Sequence, residues 1–119
     1  MEEVRAPTAE AALRRILTTA VRERVSDVHI EPQESFIRVR FRRDGILYDR
    51  FTMMLAMKKP ISVRAKVVGS MDIAESRLPQ DGSYSETVDG GSYDFRISTL
   101  PSLYGETIVI RILTGKVDF

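Results

Sequence analysis

The residue best placed to do chemistry is Arg96, which lies in the alternating stretch of residues 93–99. This alternation predicts a strand with two faces, an apolar face formed by Tyr93, Phe95 and Ile97 and a polar face formed by Asp94, Arg96 and Ser98. A guanidinium group on a strand has less freedom than one on a loop, and its planar set of donors suits a phosphate or a carboxylate. We therefore expect Arg96 to bind an anionic partner.

A second basic feature is a row of three arginines on a neighbouring strand. In residues 36–43, Arg38, Arg40 and Arg42 alternate with apolar residues, and Asp44-Gly45 then signals a tight hairpin. The row suits phosphates, nucleic acid or an acidic protein surface, although no aromatic residues are interleaved with it for base stacking. The alternative is a solvated face that Asp49 and nearby acids partly neutralise, and the sequence leaves both open.

Three potential metal ligands alternate along residues 26–31, namely Asp27, His29 and Glu31. Alternate residues on one strand lie about 6.5 to 7 Å apart, too far to chelate one ion without ligands from elsewhere. His29 is the only histidine in the chain. We therefore predict a hydrogen-bonded polar face here, and no metal site.

Catalysis within this chain alone is hard to assemble from its residue types, although the sequence leaves paired carboxylates open. There is no cysteine, and the single histidine has no evident serine partner. The stretch Thr114-Gly115-Lys116 lacks the leading glycine and the spacing of a phosphate-binding loop. The sequence therefore favours a binding or regulatory domain over an enzyme.

The elements that must position these side chains are two helices and about six strands. Residues 10–25 have helical periodicity with Thr8 as the expected N-cap, and a second helix runs from Pro60 to Gly69. Strands are predicted at 26–31, 36–43, 46–51, 83–88, 93–99 and 106–113, with turns or loops at 79–82, 89–92 and 101–105. Lys66 is expected to lie off the apolar stripe of the second helix. The fold class is α+β, with a mostly antiparallel sheet.

Composition indicates one domain spanning 1–119, with 1–8 and 114–119 as flexible ends. The 119 residues are 43% hydrophobic and 29% charged, which is typical of a globular protein. The net charge of +1 argues against bulk attraction to nucleic acid, although the basic residues are concentrated in residues 1–66. Without cysteine, a signal peptide or an 18-residue apolar span, we expect a soluble cytoplasmic chain.

Three groups of segments carry a resemblance to a known family. They are SDVHIEP followed by the RFRRDGIL hairpin, RAK followed by DIAESRLPQDG, and FRISTLP followed by Gly105-Glu106 and Ile110-Arg111. In order and spacing, over about residues 10–113, they resemble the second N-terminal domain of the type II secretion and type IV pilus assembly ATPases.

The resemblance implies a PAS-like regulatory and oligomerisation domain. In the family, this domain precedes a RecA-like motor domain with Walker motifs in each subunit of a hexamer, and the two domains reorient with nucleotide state. The chain resembles an excised domain that does not hydrolyse ATP alone and binds no cofactor alone, because ATP and Mg²⁺ belong to the parent ATPase. The implied partners are the motor domain and the secretion or pilus platform at the inner membrane, without nucleic acid.

The resemblance also assigns site residues. Arg96 matches a family arginine that approaches the nucleotide phosphates, where it would offset charge on the terminal phosphate. A second family arginine usually follows Pro-Gln-Asp-Gly, but this chain has Ser83 there. Arg77 and Arg111 are the candidates to replace it, and an ordinary ion-pair role is the alternative for both. The remaining motif positions are Asp27, His29, Glu31, Asp81, Gly82, Gly105 and Glu106.

Two other functions remain open from the residues alone. One is a nucleic-acid-binding module acting through Arg38, Arg40 and Arg42. The other is a PAS-like sensor that holds a small ligand within its sheet, which requires a cavity.

Overall fold

The computed structural model describes residues 1–114, which form an α+β fold with one seven-stranded sheet and two α-helices. The strand order is β1-β4-β3-β2-β7-β6-β5, and every neighbouring pair is antiparallel except β1 and β4. The predicted fold class is confirmed, with one strand more than expected. The elements are β1 (Glu2–Glu3), α1 (Ala9–Arg22), β2 (Asp27–Pro32), β3 (Phe36–Arg43), β4 (Ile46–Met54), α2 (Lys58–Val68), β5 (Gln80–Val88), β6 (Gly91–Ser102) and β7 (Gly105–Thr114).

Both helices pack on the apolar face of the sheet, and the opposite face is open. Most strand residues predicted to point inward are buried with the apolar side of α1, and Tyr93 is partly buried against them. This core includes Ile16, Leu17, Val39, Phe41, Phe95 and Ile110. Burial of such side chains contributes about 1.5 to 3 kcal/mol each. Because side chains alternate along each strand, this core leaves Arg38, Arg96 and Arg111 on the open face.

Helix α1 begins as predicted and ends earlier than predicted. The Thr8 side chain accepts a hydrogen bond from the backbone N–H of Ala11 at 3.1 Å, which is an N-cap interaction. The helix was expected to reach residue 25 but ends at Arg22, because Arg24 adopts a left-handed conformation with φ of 58°. This conformation turns the chain into β2.

Two of the three hairpin turns are tighter than the sequence indicates, and the tight turn predicted at Asp44-Gly45 is confirmed. Asp44 and Gly45 both have positive φ, as two-residue turns of the primed type require, and Asp89 and Gly90 repeat this geometry. The predicted loop at residues 101–105 is reduced to two residues, because Ser102 already pairs with Gly105. The strands on either side are correspondingly longer than predicted.

The predicted turn at residues 79–82 is wrong. Strand β5 already begins at Gln80, because the twelve-residue β6 supplies ladder partners for it, and Asp81 and Gly82 pair with Ser98 and Ile97. Gly82 is required for packing rather than for a turn, since a Cβ there would overlap the carbonyl oxygen of Gly69.

The first residues of the chain contribute to the sheet. Residues 1–8, expected to be a flexible end, contain β1, which pairs with Phe51 and Thr52, and the buried residue Val4. The second expected flexible end is 114–119. Thr114 belongs to β7, and residues 115–119 lie outside the described part of the chain. Neither α1 nor α2 has the length and apolarity needed to cross a membrane.

Candidate functional site

Five polar residues form a row across the open face, one on each of five neighbouring strands. The pairing register places Ser83 opposite Arg96, Arg96 opposite Arg111, Arg111 opposite Asp27, and Asp27 opposite Arg42. Directly opposed residues have Cβ atoms about 4.5 to 5.5 Å apart. The row therefore joins the two basic features of the sequence in one surface.

The centre of this row borders an open concavity of about 660 Å³. Arg96 and Arg111 line it together with Asp27, Asp81 and Ser83. Their side chains are 61% and 69% exposed, so both guanidinium groups are accessible to an incoming anion. Like charges directly opposite each other on neighbouring strands are destabilising, so the pair carries a cost that a bound anion would relieve.

Each of the two arginines has one carboxylate neighbour. Arg96 Nε donates to Asp94 Oδ2 at 3.2 Å, and Arg111 Nε donates to Asp27 Oδ1 at 3.3 Å. Asp27 is largely buried, accepts a hydrogen bond from Ser26 Oγ at 2.8 Å and lies 4.0 Å from Arg42 Nε. Within residues 1–114, the terminal nitrogens of Arg96 and Arg111 make no hydrogen bond.

The two candidate replacements for the missing second arginine lie in different places. Arg111 stands beside Arg96, whereas Arg77 lies on the segment between α2 and β5, 89% exposed and 3.8 Å from Glu75. Arg77 does not line the concavity. The structure therefore brings Arg96, Arg111 and Ser83 together and leaves Arg77 apart.

The basic row on β3 is paired with the acids of β2. Arg40 donates two hydrogen bonds to Glu31, both of 2.7 Å, and Arg38 Nε lies 3.4 Å from the same carboxylate. Burial is the largest single influence and raises the pKa of Glu31, but the hydrogen bonds from Arg40 and the nearby positive charges, chiefly Arg40 and Arg38, together hold that pKa below its usual value. Two of the three arginines thus share one carboxylate, which favours the neutralised-face interpretation.

The three polar residues of β2, Asp27, His29 and Glu31, lie opposite the arginine row of β3. Asp27 and Glu31 face Arg42 and Arg38 across the β2–β3 ladder, and His29 faces Arg40. The part of the chain that the structure describes contains no group of three or more metal-ligating side chains. Burial is the main cause that lowers the pKa of His29, so its neutral form is favoured.

The remaining motif positions have visible structural roles. Asp81 accepts a hydrogen bond from Ser98 Oγ at 2.6 Å, and Gly82 packs against Gly69. Gly105 has φ of +138°, and a Cβ there would approach the Lys58 side chain to 2.8 Å. A larger side chain at Gly105 would therefore be strained.

One buried ion pair, between Lys66 and Glu106, was not predicted from the sequence. Lys66, expected to lie off the apolar stripe of α2, has a side chain that is only 2% exposed, and its Nζ lies 2.7 Å from Glu106 Oε1. Lys66 also donates to the carbonyl of Glu75, and Ser62 Oγ donates to Glu106 at 2.9 Å. The available signal was Ser62 and Lys66 at i and i+4, a polar pair on one side of the helix.

Comparison with known proteins identifies the family. The family model for type II/IV secretion system proteins matches residues 2–118. The chain is 44% identical over 99 residues to the type IV pilus assembly ATPase PilB of Myxococcus xanthus, covering 82% of this chain and 18% of that protein. It is 44% identical over 98 residues to the type II secretion system protein E of Klebsiella pneumoniae, covering 82% and 20%.

A third relative extends the match along the chain. The protein transport protein HofB homolog of Escherichia coli is 42% identical over 113 residues, covering 95% of this chain and 24% of that protein. The chain thus spans about a fifth of the length of these relatives. These matches confirm the resemblance drawn from the motifs, and the chain belongs to the type II/IV secretion system protein family.

Proposed function

We propose that this chain is a regulatory and oligomerisation domain of a hexameric ATPase that drives type II secretion or type IV pilus assembly. Its membership of the family and its similarity to a pilus assembly ATPase and a type II secretion protein support this proposal. The domain would move relative to a motor domain as nucleotide binds and is hydrolysed. The observation that carries the site assignment is the exposure of Arg96 on the open face beside a concavity.

Arg96 would contact the phosphates of nucleotide held by the motor domain. Asp94 engages only its Nε, so the terminal nitrogens are oriented by a strand and available to phosphate oxygens. A fixed cation aimed at phosphate oxygens stabilises the charge that develops during phosphoryl transfer. Bound ATP and Mg²⁺ supply the reacting groups, and this chain supplies a positioned positive charge.

The partners follow from the same assignment. The motor domain of the parent protein would meet the open face, because Arg96 must reach nucleotide bound there. Neighbouring subunits would complete the hexamer, and the assembly would work on the cytoplasmic side of the inner membrane with the secretion or pilus platform. The chain by itself would contribute contacts to the nucleotide site and no hydrolysis.

The test of this function is Arg96→Ala in the full-length ATPase. Loss of one charged hydrogen bond costs about 1.5 to 3 kcal/mol, so ATP binding and turnover should fall by roughly 10- to 150-fold. Arg14→Ala is the matched control, because Arg14 is also exposed and pairs with a carboxylate, but lies on α1 at the other face of the sheet. Binding and turnover at the unmodified level in assembled Arg96→Ala hexamers would refute the assignment.

A further inference from the structure

We propose that the outer edge of β5 and the neighbouring side of helix α1 form a groove that binds an extended segment of a partner protein as an additional strand of the sheet. The partner segment carries a lysine or arginine that pairs with Glu86. The groove lies at the sheet edge on the helix side, whereas Arg96 lies on the open face. The inference therefore goes beyond the proposed function and does not depend on it.

Strand β5 is an edge strand whose outer side has no ladder partner within residues 1–114. It is the last strand in the sheet order and pairs only with β6. Apart from that ladder, no backbone group of residues 83–88 forms a hydrogen bond with another backbone group in the described part of the chain. Because alternate residues of an edge strand direct their N–H and C=O groups outward, this edge can accept another strand.

This edge lacks the features that usually prevent a strand from pairing further. Residues 80–88 contain no proline, lysine or arginine, and their ladder with β6 has no register shift that would indicate a bulge. The opposite edge of the sheet differs, because β1 pairs with part of β4. The exposed side chains of β5 include Ser83, Ser85 and Thr87, which are too small to shield the backbone.

Two concavities of about 200 and 400 Å³ adjoin this edge on the helix side, and together they form what we call the edge groove. Helix α1 lines both concavities and contributes apolar surface from Leu13 and Leu17. Glu86 also lines both, so the edge groove extends along the chain from Tyr84 to Asp89. Because consecutive residues of the strand line it, the edge groove reaches the backbone of β5. An extended peptide can therefore pair with β5 and direct alternate side chains toward α1.

The arginines that line the edge groove are already engaged by carboxylates. Asp89 accepts two hydrogen bonds from Arg22, of 2.8 and 3.1 Å. Glu10 lies 3.3 Å from Arg14 and 3.8 Å from Arg64. These cations are therefore neutralised before a partner binds, and they do not call for an acidic partner segment.

Glu86 differs from these carboxylates. It lies half-buried on the helix side of β5, where the two concavities meet. Within residues 1–114, no lysine or arginine nitrogen lies within 4.0 Å of its carboxylate, unlike those of Glu10 and Asp89. A lysine or arginine that points toward α1 from the added strand would supply the missing positive charge.

The residues on either side of Glu86 define the rest of the partner sequence. Tyr84 and Val88 lie two positions away from it on the same side of β5, and each lines one of the two concavities. The Tyr84 ring stacks on Phe95 with centroids 5.2 Å apart, so it presents a fixed apolar surface. The added strand should therefore carry apolar residues two positions before and two positions after its cation.

The first experiment titrates the chain with a capped peptide of sequence TVTKTVT, followed by calorimetry and by NMR of the backbone amides. We expect the largest shifts at residues 83–89, with slower hydrogen exchange of the amides that point outward from β5. Replacing the lysine of the peptide by glutamate should weaken binding by about fivefold, because attraction to Glu86 becomes repulsion. Equal affinity for the two peptides would overturn the role of Glu86.

The second experiment distinguishes strand addition from contact through side chains alone. Methylating the peptide backbone at alternate nitrogens gives two peptides with identical side chains, each lacking the N–H groups on one side of the strand. One peptide should bind like the unmodified one and the other should lose at least about tenfold, because only one side of the added strand pairs with β5. Equal affinities of the two methylated peptides would refute strand addition.

The third experiment reverses the charge on the protein. Glu86→Lys should bind the glutamate peptide more tightly than the lysine peptide, which inverts the preference of the unmodified chain. This variant should fold, because Glu86 makes no ion pair within the described residues. An unchanged order of affinities in the folded variant would show that the cation of the peptide binds elsewhere.

The fourth experiment blocks the edge groove from the helix. Thr18→Trp should abolish peptide binding, because Thr18 lines the groove beside Val88. Thr19→Trp is the matched control, since Thr19 lies on the same helix but lines neither concavity of the groove. Unchanged affinity in folded Thr18→Trp would overturn the site. Protection of the β5 amides that rises with chain concentration and excludes the peptide would identify the occupant as a second copy and refute the proposed partner.

Discussion

At the scale of single residues, His29 is the group most sensitive to pH near neutrality. It lies half-buried at the centre of the open face, where Asp27 and Glu31 flank it on β2 and Arg40 and Val109 face it. Burial lowers its pKa, and nearby Arg40 and Arg42 act in the same direction against Asp27 and Glu31. The folded protein therefore binds the proton less readily than the unfolded chain.

The sign of the pH effect follows from this difference. Above about pH 6.5, His29 is neutral in both states and costs nothing, whereas below it the unfolded chain takes up the proton first and stability falls. We predict that lowering the pH from 8 to 5.5 reduces the free energy of unfolding less in His29→Gln than in the unmodified chain, as measured by urea denaturation. If both proteins lose the same free energy of unfolding between pH 8 and 5.5, protonation of His29 does not affect stability in this range.

Carboxylate titration does not obscure this measurement. The pKa values of Glu23, Glu31 and Asp89 are lowered in the folded state, because hydrogen bonds and charge from neighbouring groups, mainly arginines, together outweigh the opposing effect of burial. A lowered carboxylate pKa gives stability that is present above the unfolded value and lost as pH falls through the folded one. These losses begin below about pH 4.5, outside the interval used for His29.

At the scale of elements, Lys66 connects three parts of the fold. It extends from α2 to Glu106 on β7 and to the carbonyl of Glu75 in the segment between α2 and β5. Gln80 ties down the same segment, with Nε2 donating to the carbonyls of Asp72 and Glu75. The position of β5 beside β6 therefore depends on polar contacts as well as on apolar packing.

Replacing one partner of this buried pair should be costly. We predict that Lys66→Met destabilises the chain by about 3 to 5 kcal/mol, because Glu106 keeps a buried charge without its partner. Combining it with Glu106→Leu should recover most of the loss, since both charges are then removed. Denaturant unfolding of the single and double variants tests this, with Arg14→Met as the exposed control, and a stable single variant would contradict it.

The sequence predicted those structural features that depend on residues close together in the chain. Strict alternation identified the strands around Val39, Phe95 and Ile110, and Thr8 marked the start of α1. The predicted turn at residues 79–82 was wrong, because Gly82 is needed for close packing against Gly69 rather than for a turn. The spacing of Ser62 and Lys66 was a weak local signal for the burial of Lys66, but its partner Glu106 lies 40 residues away in the chain.

The same limit applies to the candidate site. The outward direction of Arg96 follows from alternation alone, and the structure agrees. That Arg111 lies directly opposite depends on the hairpin between β6 and β7 closing in two residues rather than five. One residue of difference in register would have reversed the face of every partner, so this contact required the structure.

At the scale of the whole molecule, the charge distribution bears on the nucleic-acid alternative. The net charge is +1, and the arginines of β3 are paired with Glu31 and Asp27. Affinity for a polyanion grows with the number of phosphates that free cations neutralise, so this surface offers few of them. This pairing weighs against the nucleic-acid alternative.

A titration with single- and double-stranded nucleic acid at two salt concentrations tests it. We predict weak binding with a shallow salt dependence, because most of the exposed cations already have counter-ions. The informative variant replaces Arg38, Arg40 and Arg42 by serine. Tight, steeply salt-dependent binding that this variant abolishes would favour a nucleic-acid-binding module instead.

The alternation of side chains along β5, β6 and β7 separates two kinds of selective constraint. The residue types at positions facing the helices are constrained by core packing, as at Phe95 and Ile97. The residue types at the intervening positions are constrained mainly by the molecules that contact the open face. A point change such as serine for arginine at position 83 can therefore alter recognition without disturbing folding. An outward-facing charge can therefore be moved from one strand to the next while the apolar face keeps the same packing.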